Sequence, residues 1–377
     1  MLPYWGICFY FIIMLFVDLY SANKNTSGNQ YNKVIVSYLF FCSCAVLVIF
    51  GGIRINGTGV DDWMYRESFN EISNKTITLS ITSIIEQYKY EPVTTFFMDV
   101  VAQFTKNADI FMFVYLMISV SINSYAYKKY TPLILVSLAI YSSHLYLNKD
   151  LNQIRFGLSS ALFVLSLCFY SESKYYKVVI FMVLACLTHQ TALAGIIVLF
   201  LNPLLKWRFL PIILVLCSIP LGVIGGKVLF GGFFGYLPQV VSSYQGTDFD
   251  TDIPIFSIAN FKNIIFIFIF CYYLSDEKYC SSGQAQKFSR LMIIIYAIGA
   301  SVRIVFHDFS IIGGRVGNLF LHVEPLLISL LASKFLKHRF IVLSALIAIL
   351  IYYYYYNTYL NPQSLLGYGV SNTFKIW

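Results

Sequence analysis

The chain has 377 residues, of which 58% are hydrophobic and only 12% are charged. A soluble domain carries about 25% charged residues, so the composition excludes an ordinary soluble protein and indicates an integral membrane protein. The net charge of +8 is spread over short loops rather than gathered in a basic soluble segment, so no nucleic-acid partner is expected.

Long apolar runs separated by short charged loops predict an all-α polytopic membrane protein, forming a single integral membrane domain over residues 1–377, because only helices that satisfy their own backbone can cross lipid in this way. We expect about 11–12 transmembrane helices. The predicted spans are 3–20, 34–52, 110–127, 132–147, 153–170, 175–201, 209–224, 257–275, 288–306, 312–333 and 340–358. A further segment, 92–105, is short and contains Asp99 and Gln103, so it is either a twelfth span or an amphipathic or re-entrant helix.

Charge in the loops predicts the orientation of the bundle. Short loops such as the one at Lys128-Lys129 are basic and are expected in the cytoplasm. Most acidic residues lie in the two longest loops, 53–91 and 225–256, which are therefore predicted to be external and to form the active-site face.

The number of predicted spans between these two loops is odd, which would place the loops on opposite sides of the membrane. Both loops can be external only if one further segment crosses or one predicted span turns back. Either 92–105 crosses the membrane, or 175–201 is broken and turns near His189. The second alternative is favoured, because it keeps the basic loops inside.

The segment 51–69 concentrates polar chemistry at the end of an apolar run. It combines glycines, which let the backbone turn and approach a ligand closely, with acids, guanidinium groups and aromatic rings. Its candidate binding or catalytic residues are Arg54, Asp61, Asp62, Trp63 and Tyr65. Such a loop is suited to binding a sugar and a phosphate together.

Two ionisable residues within predicted spans are also candidates. Arg155 follows Asn152 and Gln153 at the start of a span; it either snorkels to the surface or faces a polar cavity, and function is favoured. His189, within Thr188–Thr191, is either a proton-transfer group or a buried neutral histidine, and neither alternative is favoured.

A third polar group lies near the end of the span 288–306. Arg303 and His307 are four residues apart and share a helix face, and Arg315 follows shortly after. Guanidinium groups bind phosphate oxygens bidentately. The alternative is internal salt bridges, from Arg303 to Asp308 or from Arg315 to Glu324.

No sequence pattern predicts a metal site or a nucleotide site. The cysteines lie mostly in apolar runs, without a C-x-x-C pair. The aspartates at 248, 250 and 252 alternate, but they lack the glycine and glutamate of an EF-hand. A P-loop and a Rossmann fingerprint are missing as well. We therefore expect no cofactor, with a divalent cation at the paired aspartates left open.

Taken together, the motifs resemble those of the EpsG/Wzy group of bacterial polysaccharide polymerases, in particular the O-antigen polymerases. The residues that carry the resemblance are G-x-R-x-x-G-x-G-x-D-D-x-x-Y at 52–65, Asn-Gln-Ile-Arg-Phe-Gly at 152–157, Thr-His-Gln at 188–190 and Gly314-Arg315. One departure is the pair Asp61-Asp62, because the family more often has one acid before the tyrosine. Which aspartate matters is left open.

The resemblance implies a GT-C-like membrane glycosyltransferase of the bacterial inner membrane. Its substrates would be oligosaccharides linked to undecaprenyl diphosphate, joined at the periplasmic face, and its implied partners are the lipid bilayer and a chain-length regulator. Arginines suit a diphosphate leaving group, so Arg155, Arg303 and Arg315, with Arg54 as a further candidate, are assigned to it. Asp61, Asp62 or His189 would act as the base, and Trp63 and Tyr65 would stack on sugars.

Three other functions fit parts of the pattern. A repeat-unit flippase or transporter would show inverted repeats and polar residues at the membrane midplane. A membrane O-acyltransferase would need a histidine–acid pair, whereas His189 has no acid beside it in the sequence. A eukaryotic lumenal glycosyltransferase would carry glycans on its Asn-x-Ser/Thr sites.

Overall fold

A computed structural model of the protein describes residues 1–22, 29–74, 90–234, 252–275, 283–360, 365 and 367–375. Throughout these residues the secondary structure is helical, apart from two isolated backbone bridges. The α-helices are Leu2–Ser21, Asn29–Gly52, Asp62–Asn74, Pro92–Ala102, Ala108–Tyr130, Ile134–Ile140, Ile154–Ser171, Tyr175–Thr188, Leu210–Ile224, Gly226–Phe234, Ile258–Leu274, Gly283–Val305, Ser310–Leu321, Glu324–Lys334 and Arg339–Tyr355.

The predicted apolar segments are all helical, which confirms an all-α membrane protein. Length and composition alone identify fewer spans than the 11–12 predicted, because several apolar helices of the described residues have only 10–17 residues. Six described helices are long and apolar enough to cross a membrane, or seven if the pair Ser310–Leu321 and Glu324–Lys334, bent by 44°, counts as one span. Other apolar helices are shorter, such as Ile258–Leu274.

Two predicted segments are interrupted or short. The segment 175–201 is broken at His189, as the favoured alternative predicted: an α-helix ends at Thr188 and a 3₁₀-helix runs over Gln190–Phe200. The helix Pro92–Ala102 has only 11 residues, about 16 Å at 1.5 Å per residue. It is too short to cross a hydrocarbon core of about 30 Å.

The chain divides into two compact units. The first contains 1–165, 183–190 and 328–377, and the second contains 166–182 and 191–327. The predicted external loops fall on different units. Part of each loop, residues 75–89 and 235–251, including the aspartates at 248 and 250, lies outside the described residues.

In the first unit, helices Asn29–Gly52 and Ala108–Tyr130 run antiparallel. Near one end the Lys128 ammonium lies 4.1 Å from the centre of the Phe41 ring, and Cys44 hydrogen-bonds Ser124 at 3.1 Å. At the other end Gly52 lies against Phe113. The end of the first helix and the start of the second therefore lie on the same side of the bundle.

The loop after Gly52 is fixed by residues far away in the sequence. The backbone of Ile55 donates to the Gly369 carbonyl at 2.8 Å, and Ser371 donates to the Ile53 carbonyl at 2.8 Å. The ring of Tyr368 stacks on Phe50 with centroids 4.3 Å apart. Residues 365 and 367–375, which we call the C-terminal strap, thus hold the loop in place.

In the second unit, helix Gly283–Val305 packs closely on Ser310–Leu321. A Cβ atom at Gly299 would lie 2.8 Å from the Gly317 carbonyl oxygen, so both positions must lack a side chain. Small residues allow such close approach of helices in membranes. This packing places Arg303 and Asn318 beside each other.

Candidate active site

Arg54 and Asp62 form a fully buried ion pair at the base of the loop. Both side chains are 0% exposed. Asp62 accepts hydrogen bonds from Arg54 Nε at 3.1 Å and Nη2 at 2.7 Å, and Arg54 Nη1 donates to the Gly51 carbonyl at 2.6 Å. Burial acts to lower the pKa of Arg54, but the Asp62 carboxylate reverses the effect and raises it above its usual value.

The same ion pair shapes the backbone of the loop. The Gly59 N–H donates to Asp62 Oδ2 at 3.0 Å, closing the turn. A Cβ at Gly59 would overlap the carbonyl oxygen of Leu151. Only glycine therefore allows the loop to lie this close to the backbone of Leu151. Every polar atom of the Asp62 carboxylate is therefore used to hold the loop.

Asp61, the neighbouring aspartate, is arranged differently. Its backbone N–H donates to Asn152 Oδ1 at 3.1 Å, which attaches it to the turn before helix Ile154–Ser171. Its side chain is half-buried, and its charge acts on Tyr65. The carboxylate at 61 is thus at the surface of the site, whereas the one at 62 is beneath it.

Arg155 is the centre of a cluster of polar and aromatic groups. Its guanidinium carbon lies 4.3 Å from the centre of the Tyr90 ring and 5.8 Å from that of Tyr65. One terminal nitrogen forms an ion pair with Glu91, whose other oxygen accepts from the Gln190 N–H at 3.4 Å. We call Tyr65, Tyr90, Glu91, Arg155 and Gln190 the Arg155 cluster.

The Arg155 cluster keeps an unused hydrogen-bond donor. The Nε–H of Arg155 is buried and has no hydrogen-bond partner among the described residues. About a fifth of the Arg155 side chain, 21%, is still exposed. A guanidinium with an open donor and partial access is suited to binding an anionic ligand.

The structure places the other candidates of this unit around the cluster. His189 is buried, with its ring 5.4 Å from that of Phe156, the residue after Arg155. The break in the helix at His189 presents the Gln190 N–H to Glu91. Trp63 is 54% exposed, so its ring is accessible at the surface beside the loop.

Arg303 belongs to a separate polar cluster in the second unit. It donates to Asn318 Oδ1 at 2.8 Å and to Asn260 Oδ1 at 3.3 Å. The nearby Glu324 carboxylate accepts from Lys262 Nζ at 2.7 Å and from the Tyr296 hydroxyl at 2.8 Å. Two cations and one acid thus meet within the bundle.

The two acids considered as partners of these arginines contact other groups. Asp308 accepts from the backbone N–H groups of Gly226 and Lys227, both at 2.9 Å, and caps helix Gly226–Phe234. Glu324 pairs with Lys262. Arg315 lies half-buried on helix Ser310–Leu321.

Sequence reasoning missed three residues that form these clusters. Tyr90 and Glu91 precede a helix whose first residue is proline, and Lys262 interrupts the apolar helix Ile258–Leu274. The lysine carried a usable signal, because an ionisable residue inside an apolar helix is costly unless it has a partner or a role. Glu91 carried none, since its partner is 64 residues away.

Within the part of the chain that the structure describes, no group of three or more histidine, cysteine, aspartate or glutamate side chains is placed to hold a metal ion. The Arg155 cluster offers a ligand the rest of the guanidinium and the aromatic rings around it, because Glu91 already binds one guanidinium nitrogen and the Gln190 N–H.

Comparison with known proteins gives two matches. The model of the EpsG family matches residues 37–370. The amylovoran biosynthesis protein AmsC of Erwinia amylovora is 38% identical over 379 residues, and the alignment covers 99% of each chain. No solved structure matches.

Proposed function

Since the chain belongs to the EpsG family, we propose that it is a polysaccharide polymerase, a membrane glycosyltransferase that joins oligosaccharide repeat units carried on undecaprenyl diphosphate. A relative named for the biosynthesis of amylovoran, similar over the whole length, supports a role in polysaccharide biosynthesis. The observation that carries the proposal is the Arg155 cluster, in which an accessible guanidinium lies between aromatic rings at the start of a membrane helix.

The reaction exchanges one carbon–oxygen bond for another. A hydroxyl oxygen of the acceptor repeat unit forms a bond to the anomeric carbon of the donor glycan. The bond between that carbon and the lipid diphosphate breaks, and the diphosphate leaves with the electron pair. The hydroxyl proton passes to a base, so the reaction needs neither a nucleotide nor a redox step.

Arg155 is assigned to the leaving diphosphate. Donors that are already positioned where negative charge develops stabilise the transition state most effectively, above all where water is excluded. The exposed part of its side chain can receive a phosphate oxygen, while Glu91 and Tyr90 hold the guanidinium plane in position. Its Nε–H is buried without a partner among the described residues and is a reserve donor for the same ligand.

Asp61 is assigned to the acceptor. It is half-buried and attached to Asn152, three residues before Arg155. It can therefore orient a hydroxyl group and accept its proton. Asp62 is not assigned this role, because its oxygens are bonded to Arg54 and Gly59. The exposed Trp63 ring remains a candidate for stacking on sugars. The Tyr65 ring is only 4% exposed and packs beside Arg155, so we propose instead that it helps to position the guanidinium.

The orientation of the bundle supports an external site. Lys128 and Lys129 lie at the C-terminal end of helix Ala108–Tyr130. The loop 53–61 follows the antiparallel helix Asn29–Gly52, so it lies at the opposite end of this helix pair from the two lysines. Basic residues in short loops favour the cytoplasmic side. We therefore propose that the loop faces the periplasm of a bacterium and that the protein lies in the inner membrane.

The cluster around Arg303 is a second candidate for an anionic group, in its own unit. Asn260 and Asn318 hold the guanidinium between two amide oxygens. We retain Arg303 and Arg315 as proposed phosphate-binding residues. A chain-length regulator likewise stays a proposed partner.

The proposal is tested in the native host by separating its surface polysaccharide on a gel. A deletion strain should lose the ladder of long chains and keep a single repeat unit, and the wild-type gene should restore the ladder. A gene carrying Arg155→Ala should fail to restore it. Arg339→Ala, at the start of another membrane helix, is the matched control, and membrane levels of each variant are measured by immunoblot.

Other outcomes identify the competing functions. If the deletion strain loses even the single repeat unit, the protein acts before polymerisation, as a flippase would. If the ladder is intact but its sugars lose acyl groups, the protein is an acyltransferase. Either result would refute the polymerase assignment.

A further inference from the structure

A polar cleft of about 700 Å³ lies beside the loop in the first unit. Its volume is within the range of about 300–1,000 Å³ found for sites that bind small ligands. The lining residues come from three places in the chain. The loop supplies Asn56, helix Asp62–Asn74 supplies Arg66 and Asn70, and the turn into helix Ala108–Tyr130 supplies the consecutive residues 105–109, which include Thr105, Lys106 and Asp109.

The cleft is rich in groups that bind hydroxyls. Side-chain amides both donate and accept hydrogen bonds, as sugar hydroxyls do, and Asn56 and Asn70 each supply one. A third amide, that of Asn107, is already engaged, because its oxygen accepts from the Asp109 N–H and its nitrogen donates to the Thr373 hydroxyl. Asp109 already accepts hydrogen bonds from the hydroxyl groups of Ser371 and Thr373 in the C-terminal strap. Its carboxylate thus binds hydroxyl donors in the structure itself.

Arg66 provides the second indication of a ligand. Its side chain is about nine-tenths buried, at 8% exposed. One terminal nitrogen pairs with Asp109 and the other donates to the Arg54 carbonyl at 3.1 Å. The remaining donor, Nε–H, is buried without a hydrogen-bond partner among the described residues. A buried donor of this kind normally has a partner.

The charges in the cleft favour a polyhydroxyl ligand over a phosphate. The ion pair with Asp109 largely neutralises Arg66, and burial lowers the pKa of Arg66 to about 10. Lys106 is the remaining charge and is exposed. A phosphate site usually gathers several uncompensated cationic or backbone donors, whereas neutral amides dominate here.

Two adjacent residues connect the cleft to the Arg155 cluster. Tyr65 lies over Arg155, while Arg66 lines the cleft. Successive residues on a helix point about 100° apart. Helix Asp62–Asn74 therefore presents one side to the Arg155 cluster and another to the cleft, so a chain held in the cleft would lie next to the proposed reaction centre.

We propose that this cleft is a glycan-binding subsite that holds part of the oligosaccharide away from the bond being formed. The inference rests on the proposed function, because it takes the ligand to be the glycan that the enzyme extends. The subsite would retain the glycan between reactions and so influence the length of the product.

Binding to the purified protein in detergent tests the inference without requiring catalysis. The probe is a set of short oligosaccharides released by partial acid hydrolysis of the host's own polysaccharide and labelled with a fluorophore. The cleft variant is Asn70→Ala combined with Lys106→Ala, since both side chains are exposed and their loss leaves the Arg66–Asp109 pair intact. Asn202→Ala combined with Lys129→Ala is the matched control.

Fluorescence anisotropy should show binding to the wild type and the control, with the Kd of the cleft variant raised about tenfold or more, as expected for two lost hydrogen bonds that include a charged donor. Equal affinity in all three proteins, or failure of the wild type to bind, would overturn the subsite. Displacement of the probe by glycerol phosphate but not by unlabelled oligosaccharide would also overturn it, in favour of a lipid headgroup.

A cellular measurement separates this inference from the proposed function. In the complemented deletion strain, the cleft variant should still polymerise but give a shorter length distribution, whereas Arg155→Ala should give no ladder. If the deletion has no effect on polymer, the proposed function fails and the binding result stands alone. If the ladder is lost with Arg155→Ala but unchanged in the cleft variant, the subsite fails and the polymerase remains.

Discussion

Replacing Asp62 with alanine removes the carboxylate that holds a fully buried arginine. Arg54 would lose the hydrogen bonds from Nε and Nη2 and keep only the bond to the Gly51 carbonyl. The Gly59 N–H would lose its acceptor as well. Water has no access to these groups, since both side chains are 0% exposed.

The structure gives the size of the effect. Removing one partner of a buried ion pair costs about 3–5 kcal/mol, because the other charge is left without compensation. At about 2–4 °C of unfolding temperature per kcal/mol, the unfolding temperature of the variant should fall by about 6–20 °C. Loss of polysaccharide would follow from loss of folded protein.

The neighbouring variant, Asp61→Ala, is expected to behave in the opposite way. Its backbone N–H keeps the bond to Asn152, and removal of the half-buried side chain should cost about 1 kcal/mol, well below the cost at Asp62. The folded protein should therefore accumulate normally. Its activity should be lost, because the proposed acceptor-binding carboxylate is missing.

The unfolding temperature of each variant is measured in detergent, by following the fluorescence of a fused reporter on size-exclusion chromatography after heating. The activity of each variant is measured with the polysaccharide gel in the complemented deletion strain. The reasoning would be refuted if Asp62→Ala unfolded at the wild-type temperature but gave no polymer, or if Asp61→Ala gave a full ladder.

Three further predictions follow from the same contacts. Arg155→Lys keeps the charge but loses the planar fork, so polymer formation should fall about tenfold or more; a wild-type ladder would argue against a guanidinium-specific role. Gly59→Ala should lower the unfolding temperature of the solubilised protein, whereas Gly314→Ala, which meets no atom within 4 Å, should not; equal temperatures would contradict the close packing. Lys262→Met should destabilise the protein by about 1–3 kcal/mol, because Glu324 loses the cation that it binds. Adding Glu324→Gln to that variant should recover part of the lost stability. Additive effects of the two changes on the unfolding temperature would show that the two residues do not interact.

Hydropathy located the helices well, because an apolar run in lipid has few options other than a helix. It was less informative about which helices cross. The segment 175–201 contains enough apolar residues for a span, but the helix ends at Thr188 and resumes as a 3₁₀-helix at Gln190. The break itself was expected from the charges of the flanking loops, but the contact between the Gln190 N–H and Glu91 that accompanies it has no counterpart in any local pattern.

The candidate site was predicted as a set of residue types, not as an arrangement. Arg54 and Arg155 looked equivalent in the sequence, since both flank apolar runs. The structure separates them: Arg54 is fully buried against an acid eight residues away, whereas Arg155 retains access and an unpaired donor. Exposure and pairing depend on the packing of distant segments, so the sequence alone could not distinguish a fully paired, buried arginine from a partly exposed one with a spare donor.

The C-terminal strap has a consequence for biogenesis. Tyr368 donates to the carbonyl of Phe50 across 318 residues, and the strap backbone pairs with the loop that carries Arg54. The ribosome produces that loop long before residues 365–371 exist. Until they emerge and reach the same side of the membrane, the loop lacks its backbone partners, so we expect the loop to take its final conformation only after synthesis of the chain is nearly finished.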